Sequence, residues 1–154
     1  MCLSNPIPVY KDGQDIKVYK VVEVLRGYDT EYRSPYNPFA ENSCWKLGIT
    51  NVLENDNPWF LKKHDGTMSI GIGAFHSFLR LEDAVAELRN WEKCASPLLN
   101  DEYTVLECVI PANTKFAFFG WYYTDDFNSV PAYASQSLTP VNVFTREELK
   151  AVYL

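Results

Sequence analysis

The stretch from Ile70 to Trp91 constrains this chain more than any other, because two different periodicities meet in it with no linker between them. Residues 70–78, IGIGAFHSF, read as a short strand. From Leu81 the apolar positions switch to helical spacing, with Leu81, Ala84, Val85, Leu88 and Trp91 on one stripe and Glu82, Asp83, Glu87 and Arg89 expected to turn away from it. A helix with one apolar stripe has to cover something. The strand that feeds it makes that something a sheet.

Two more strands are legible. Residues 17–25 are apolar on both faces apart from one charge on each, Lys20 on one and Glu23 on the other, the pattern of an interior strand covered on both sides. From Tyr103 to Ile110 the alternation puts Val105, Glu107 and Val109 on one face and Thr104, Leu106, Cys108 and Ile110 on the other, and Pro111 ends the run. Residues 116–123 are intensely aromatic and suit a strand or a bent hairpin. Residues 125–131 read as a loop, 132–137 lead into a last strand over 138–144, and Thr145 with Glu148 forms a capping box that starts a closing helix.

The remaining segments carry turn chemistry. Residues 1–17, with Pro6, Pro8 and Gly13, read as a lead-in to the first strand. Residues 27–57 are rich in Tyr, Pro, Asn and Ser, and Pro35 and Pro38 bias their predecessors away from helix, so a long irregular loop is expected there, anchored briefly at Cys44, Trp45 and Gly48. Loops of that length in small domains often carry function. Trp59, Phe60 and Leu61 read as a buried plug or a short strand. The order predicts an α+β fold: a single domain over residues 1–154, with a mostly antiparallel sheet, one main packed helix and a short C-terminal helix.

Charge and composition narrow the partners. A chain of 154 residues, 47% apolar and 15% aromatic, has the material for one core. Twenty acids against fourteen bases, with no block of like charge, disfavour nucleic acid and an anionic membrane surface. No apolar run approaches the ~18 residues of a membrane span, and residues 1–8 lack the basic and apolar regions of a signal peptide, so a cytoplasmic location is expected. Cys2, Cys44, Cys94 and Cys108 form no C-x-x-C pair, and with His64 and His76 as the histidines no metal site is expected. Gly71 and Gly73 lack the third glycine of a dinucleotide fingerprint.

Several residues stand out chemically, each with a plainer reading beside it. His76 and Ser77 sit where a strand gives way to a helix, a place for a neutral imidazole to act near pH 7 or for a core histidine bonded to a carbonyl. Lys20 and Glu107 lie among valines; on neighbouring strands they would pair across the sheet or line a pocket. Cys2, exposed as an N-terminal residue by removal of Met1, would set an α-amine beside a thiol nucleophile, with His76 as a further base, or else plug a gap under the lead-in. Tyr28, Tyr32, Tyr36 and Phe39, and the aromatic run 116–123, suit recognition of a partner or planar ligand, or coverage of a small core. Asp125 and Asp126 read as solvated turn residues rather than paired catalytic carboxylates.

Taken together, the MCL start, Asp15 and Ile16 with Tyr19, Lys20 and Val21, the SPY of 34–36, the FHSF of 75–78 with Asp83 and Ala84, the CVIP of 108–111 and the YAS of 133–135 resemble a family of small proteins from gut bacteria and their phages. That resemblance covers most of the chain and implies one compact domain. A second similarity, at the level of fold, is to the ADP-ribosyltransferases that include RES-type toxins and rifampin-modifying enzymes. Its counterparts are Tyr19, Lys20 and Val21, then Trp45 with Gly48, then residues 74–86; Lys20 replaces the arginine that would grip the cofactor, and no Glu-x-Glu or Gln-x-Glu follows on a late strand. The expectation is a binding module, an accessory factor of a phage or mobile element that recognises a protein partner or small ligand without a cofactor. Its binding candidates are Lys20, Tyr36, His76, Ser77, Glu107 and Ser135, around a cleft bordered by His76, Lys20, Tyr36 and residues 133–135. The alternative is a degenerate ADP-ribosyltransferase-like enzyme that binds NAD near Lys20, His76 and Ser135.

Overall fold

The computed structural model describes residues 3–9, 13–35, 44–54, 60–62, 64–71, 74–94, 102–124 and 128–152. Tyr36, Phe39, Trp59, Gly73, Asp125, Asp126 and Cys2 lie outside the described residues. In chain order the elements are β1 (Leu3–Pro8), β2 (Ile16–Leu25), β3 (Glu31–Arg33), β4 (Cys44–Trp45), β5 (Asn51–Val52), β6 (Phe60–Lys62), β7 (Met68–Ile70) and β8 (Phe75–Phe78), followed by α1 (Leu81–Cys94), β9 (Tyr103–Ile110), β10 (Ala117–Tyr123), β11 (Ser129–Ser135), β12 (Ser137–Val143) and α2 (Arg146–Ala151).

The strands form one mostly antiparallel sheet in the order β5-β12-β9-β2-β8-β11-β10-β1-β7-β6, with β3 branching from β2 and β4 from β3. The α+β expectation therefore holds, with a main helix and a short C-terminal one. The interior reading of β2 also holds: β9 runs along one side of it, and β8 and β3 share the other. The two faces of β2 enter different cores. Val18 and Val22 join Trp45, Phe75, Leu106, Cys108, Ile110 and Leu138 on what we call the tryptophan face. Val21 joins Phe78, Val105 and Val130 under Ala84, Val85 and Leu88 of α1 and Leu149 of α2, on the helix face.

Several expectations change. The segment 70–78 is two strands, not one: β7 pairs with β1 and β6, whereas β8 pairs with β11 and β2, so the chain changes partners between Ile70 and Phe75. The lead-in is itself a strand. Pro6 and Pro8 argued against it, but β7 hydrogen-bonds only alongside Leu3 and Ser4, and the prolines lie past that pairing, where a missing N–H is tolerated. Asn5 takes φ 53° at the register shift between Ser4 and Ile7, a bulge that lets β1 follow β10. Of the two readings of residues 59–61, the short strand stands for Phe60 and Leu61, which lie exposed on edge strand β6 with Phe60 edge-on to Phe118 at 5.4 Å.

Glycine at 120 is what allows β1 to approach. A Cβ there would stand 2.6 Å from the Ser4 carbonyl oxygen and 2.8 Å from Leu3 Cγ. Helix α1 starts where expected and buries Ala84, Val85 and Leu88, but Glu87, expected to face away, is buried too, and the Tyr122 hydroxyl donates to its Oε1 at 3.4 Å. At α2 the Thr145 Oγ1 accepts from the Glu148 backbone N–H and the Glu148 carboxylate accepts from the Thr145 N–H, which completes the capping box.

Candidate functional site

Strand phase decides which candidate residues can meet. On β8, Phe75 packs edge-on against Trp45 with centroids 5.6 Å apart, so Ser77, two residues on, shares the tryptophan face, while His76 points the other way. Ser77 pairs with Tyr133 and Phe75 with Ser135 across β11, so both β11 side chains join that face. On β2, the register Tyr19 to Phe78 brings Lys20 beside Ser77. Lys20, Ser77, Tyr133 and Ser135 thus occupy adjacent positions on three neighbouring strands.

His76 and Glu107 do not belong to that group. His76 faces Ala134 on the helix side, with its Nε2 3.0 Å from the Ile70 carbonyl oxygen, the plainer of its two sequence readings. Burial pulls its imidazole down to about 4, so it stays neutral across the physiological range. The expected pairing of Lys20 with Glu107 is not formed although their strands are neighbours. Lys20 sits opposite Leu106, and Glu107 sits opposite Tyr19, which puts the two charges on opposite faces; Glu107 pairs instead with Lys17 at 3.4 Å.

Lys20 is 4% exposed, and no carboxylate pairs with it among the described residues. Its Nζ donates to the His76 carbonyl at 2.5 Å and lies 5.0 Å from the centre of the Trp45 ring, a cation held by a carbonyl dipole and an indole face. Burial lowers its pKa to about 8 and pushes the nearby Cys108 thiol up to about 12. Ser77, fully buried, has a hydroxyl with no hydrogen-bond partner among the described residues, whereas the Ser135 hydroxyl donates to the Ser137 carbonyl at 3.0 Å. Chemically this is a low-pKa amine beside an uncommitted hydroxyl, under a lid of tryptophan.

The same face opens towards β10 and β1. Tyr133 pairs with Phe119, Phe119 with Ile7, and Trp121 with Pro131, so these side chains continue the row outward. Phe119 packs on Tyr133 with centroids 5.7 Å apart and on Trp121 at 5.8 Å, both nearly edge-on. Ile7 is 61% exposed, Trp121 39% and Tyr123 54%. The result is an uncharged aromatic shelf that ends inward at Ser77 and Lys20. The aromatic run 116–123 signalled it; the contributions of Ile7 and Tyr133 carried no signal, because they depend on strand order.

Among the described residues no three His, Cys, Asp or Glu side chains group as they would around a metal ion, and no helix is long and apolar enough to cross a membrane. Comparison with protein-family models, curated proteins and solved structures finds no match.

Proposed function

We propose that this chain is a binding module that docks a protein partner through the aromatic shelf of Ile7, Phe119, Trp121, Tyr123 and Tyr133. The observation that carries the proposal is half-exposed, interlocked rings lying side by side on one sheet face. Aromatic rings give large contact area at small entropic cost, and a patch of this kind outlined by strands is what an apolar partner surface covers. None of the five side chains is charged at neutral pH, which favours an apolar protein surface over a phosphate-bearing ligand. An accessory role in a phage or mobile element rests on the sequence resemblance alone. Affinity capture from the source cell tests the proposal: wild type should retain one partner stoichiometrically, and Trp121→Ser with Tyr123→Ser should lose it while keeping the wild-type melting temperature. Equal capture by both proteins, or none by either, removes the proposal.

A second reading is favoured by Lys20 beside Ser77: a degenerate ADP-ribosyltransferase-like enzyme that binds nicotinamide adenine dinucleotide. Among the described residues Lys20 has no carboxylate partner and the Ser77 hydroxyl no hydrogen bond, and a polar ligand would satisfy both. Their present arrangement does not fit a dinucleotide, because Trp45 lies over the amine and the His76 carbonyl already accepts from it. A rise in melting temperature with NAD that is absent in Lys20→Met supports this reading, and no rise in wild type ends it.

A further inference from the structure

The aromatic shelf lies on strands that are already paired, and this limits what can cover it. β10 is flanked by β1 and β11, and β11 by β10 and β8, so the shelf offers no open backbone edge to an added strand. Whatever docks there is held by side chains. The polar side-chain atoms of the shelf are the Trp121 indole N–H and the hydroxyls of Tyr123 and Tyr133, and none of them forms a hydrogen bond among the described residues. An indole N–H can only donate, and each phenol has a proton to give. No carboxylate or amide side chain stands among Ile7, Phe119, Trp121, Tyr123, Pro131 and Tyr133, so the surface is rich in donors and uncharged.

Its relief is stepped rather than flat. The Phe119 ring is inclined at 71° to Trp121 and 67° to Tyr133, which leaves notches between neighbouring rings. Phe119, Trp121 and Tyr123 recur at every second residue of β10, a repeat of ~6.8 Å. A polyproline II segment advances ~6.2 Å per two residues, close to that repeat. Such a segment makes no internal hydrogen bonds, so its carbonyls are open, and its prolines have no N–H. It is thus a row of acceptors with few donors, the complement of the shelf. A docked helix would have spent its carbonyls on its own N–H groups and would cover the shelf donors without satisfying them. The protein already sets a proline of its own, Pro131, opposite Trp121 on the neighbouring strand.

We propose that the partner docked by the shelf presents a proline-rich segment in the polyproline II conformation, its pyrrolidine rings between Phe119, Trp121 and Tyr123 and its carbonyls accepting from the three donors. The inference rests on the reading of the shelf as a docking surface. Calorimetric titration of the full chain with end-capped decaproline, and with an end-capped glycine–serine peptide of equal length, tests it. Decaproline should bind at least about tenfold more tightly, because it is already ordered. Trp121→Phe keeps a ring but removes a donor and should weaken decaproline about two- to tenfold, the worth of one neutral hydrogen bond. Trp121→Ser with Tyr123→Ser should abolish binding, whereas Val52→Ser, an exposed apolar site at the far end of the sheet, should leave it unchanged. Equal affinity for the two peptides overturns the inference, as does binding that survives Trp121→Ser with Tyr123→Ser, or that is unaltered in Trp121→Phe. If decaproline fails to bind while wild type still captures a partner that the double variant loses, this inference falls and the docking surface stands. If capture fails as well, both fall.

Discussion

The two faces of the central strand are covered in opposite ways, with the opposite of the expected result. Regular helices cover one face, and yet a cleft of about 410 Å³, lined by Leu88 of α1 and Leu149 of α2 and reaching Tyr32, stays open at the end of the sheet. The other face is covered in its middle by Trp45 of the two-residue strand β4, and there a lysine is sealed to 4% exposure. Helices meet as cylinders and leave a notch between their ends. A single tryptophan, placed by a short strand, fits its site as a plug. Closure of a sheet face thus follows from side-chain fit, not from the regularity of the covering element.

Trp45→Ala is the largest expected break in that contrast. Removing the plug should cost about 3–5 kcal/mol of unfolding free energy in urea, as for other buried aromatic truncations, and should admit solvent to Lys20. A loss below ~1 kcal/mol would mean that the tryptophan face is not sealed by this residue.

The buried lysine sharpens the contrast through pH. Its amine titrates at about 8 in the folded chain and near 10.5 when unfolded, so between those values the unfolded chain binds more protons and stability rises with pH. The gain is complete above 10.5 and is lost as pH falls through 8. Relative to Lys20→Met, wild type should gain about 3 kcal/mol from pH 7 to pH 11, read as the difference between the two proteins so that other titrating groups cancel. Parallel pH profiles would show that the amine is hydrated.

A smaller effect is expected at Gly120, where the strand carrying Ile7 of the shelf is held close. Gly120→Ala has to push back the Ser4 carbonyl and Leu3 and should cost about 1–3 kcal/mol, together with partner capture if β1 shifts. Smallest is Thr145→Ala, which removes one side of the capping box. About 1 kcal/mol of unfolding free energy is expected in urea, and no loss would show that the box does not hold α2.

What could be read in the sequence was whatever is encoded within a few residues. The stripe of α1, the two-sided burial of β2, the alternation of β9 and the Thr145–Glu148 cap all come from local spacing, and they stand in the structure. What could not be read was the phase of one strand against another. Lys20 and Glu107 were each placed correctly on their own strands, but the offset between β2 and β9 sends them to opposite faces. His76 and Ser77, read as one site, are divided by the two-residue repeat of β8. The cleft left no local trace, because Arg89, Arg146 and Lys150 look like ordinary exposed helix charges until two helices distant in sequence converge.

The position of β1 in the sheet carries a consequence for synthesis. Its neighbours are residues 68–70 on one side and 117–123 on the other, so β1 waits for a strand made more than a hundred residues later. At ~5–20 residues per second that delay is on the order of ten seconds, during which Leu3 has no Gly120 to nest against. Ile7 stands opposite Phe119, so the docking of β1 on β10 sets the earliest moment at which the aromatic shelf exists.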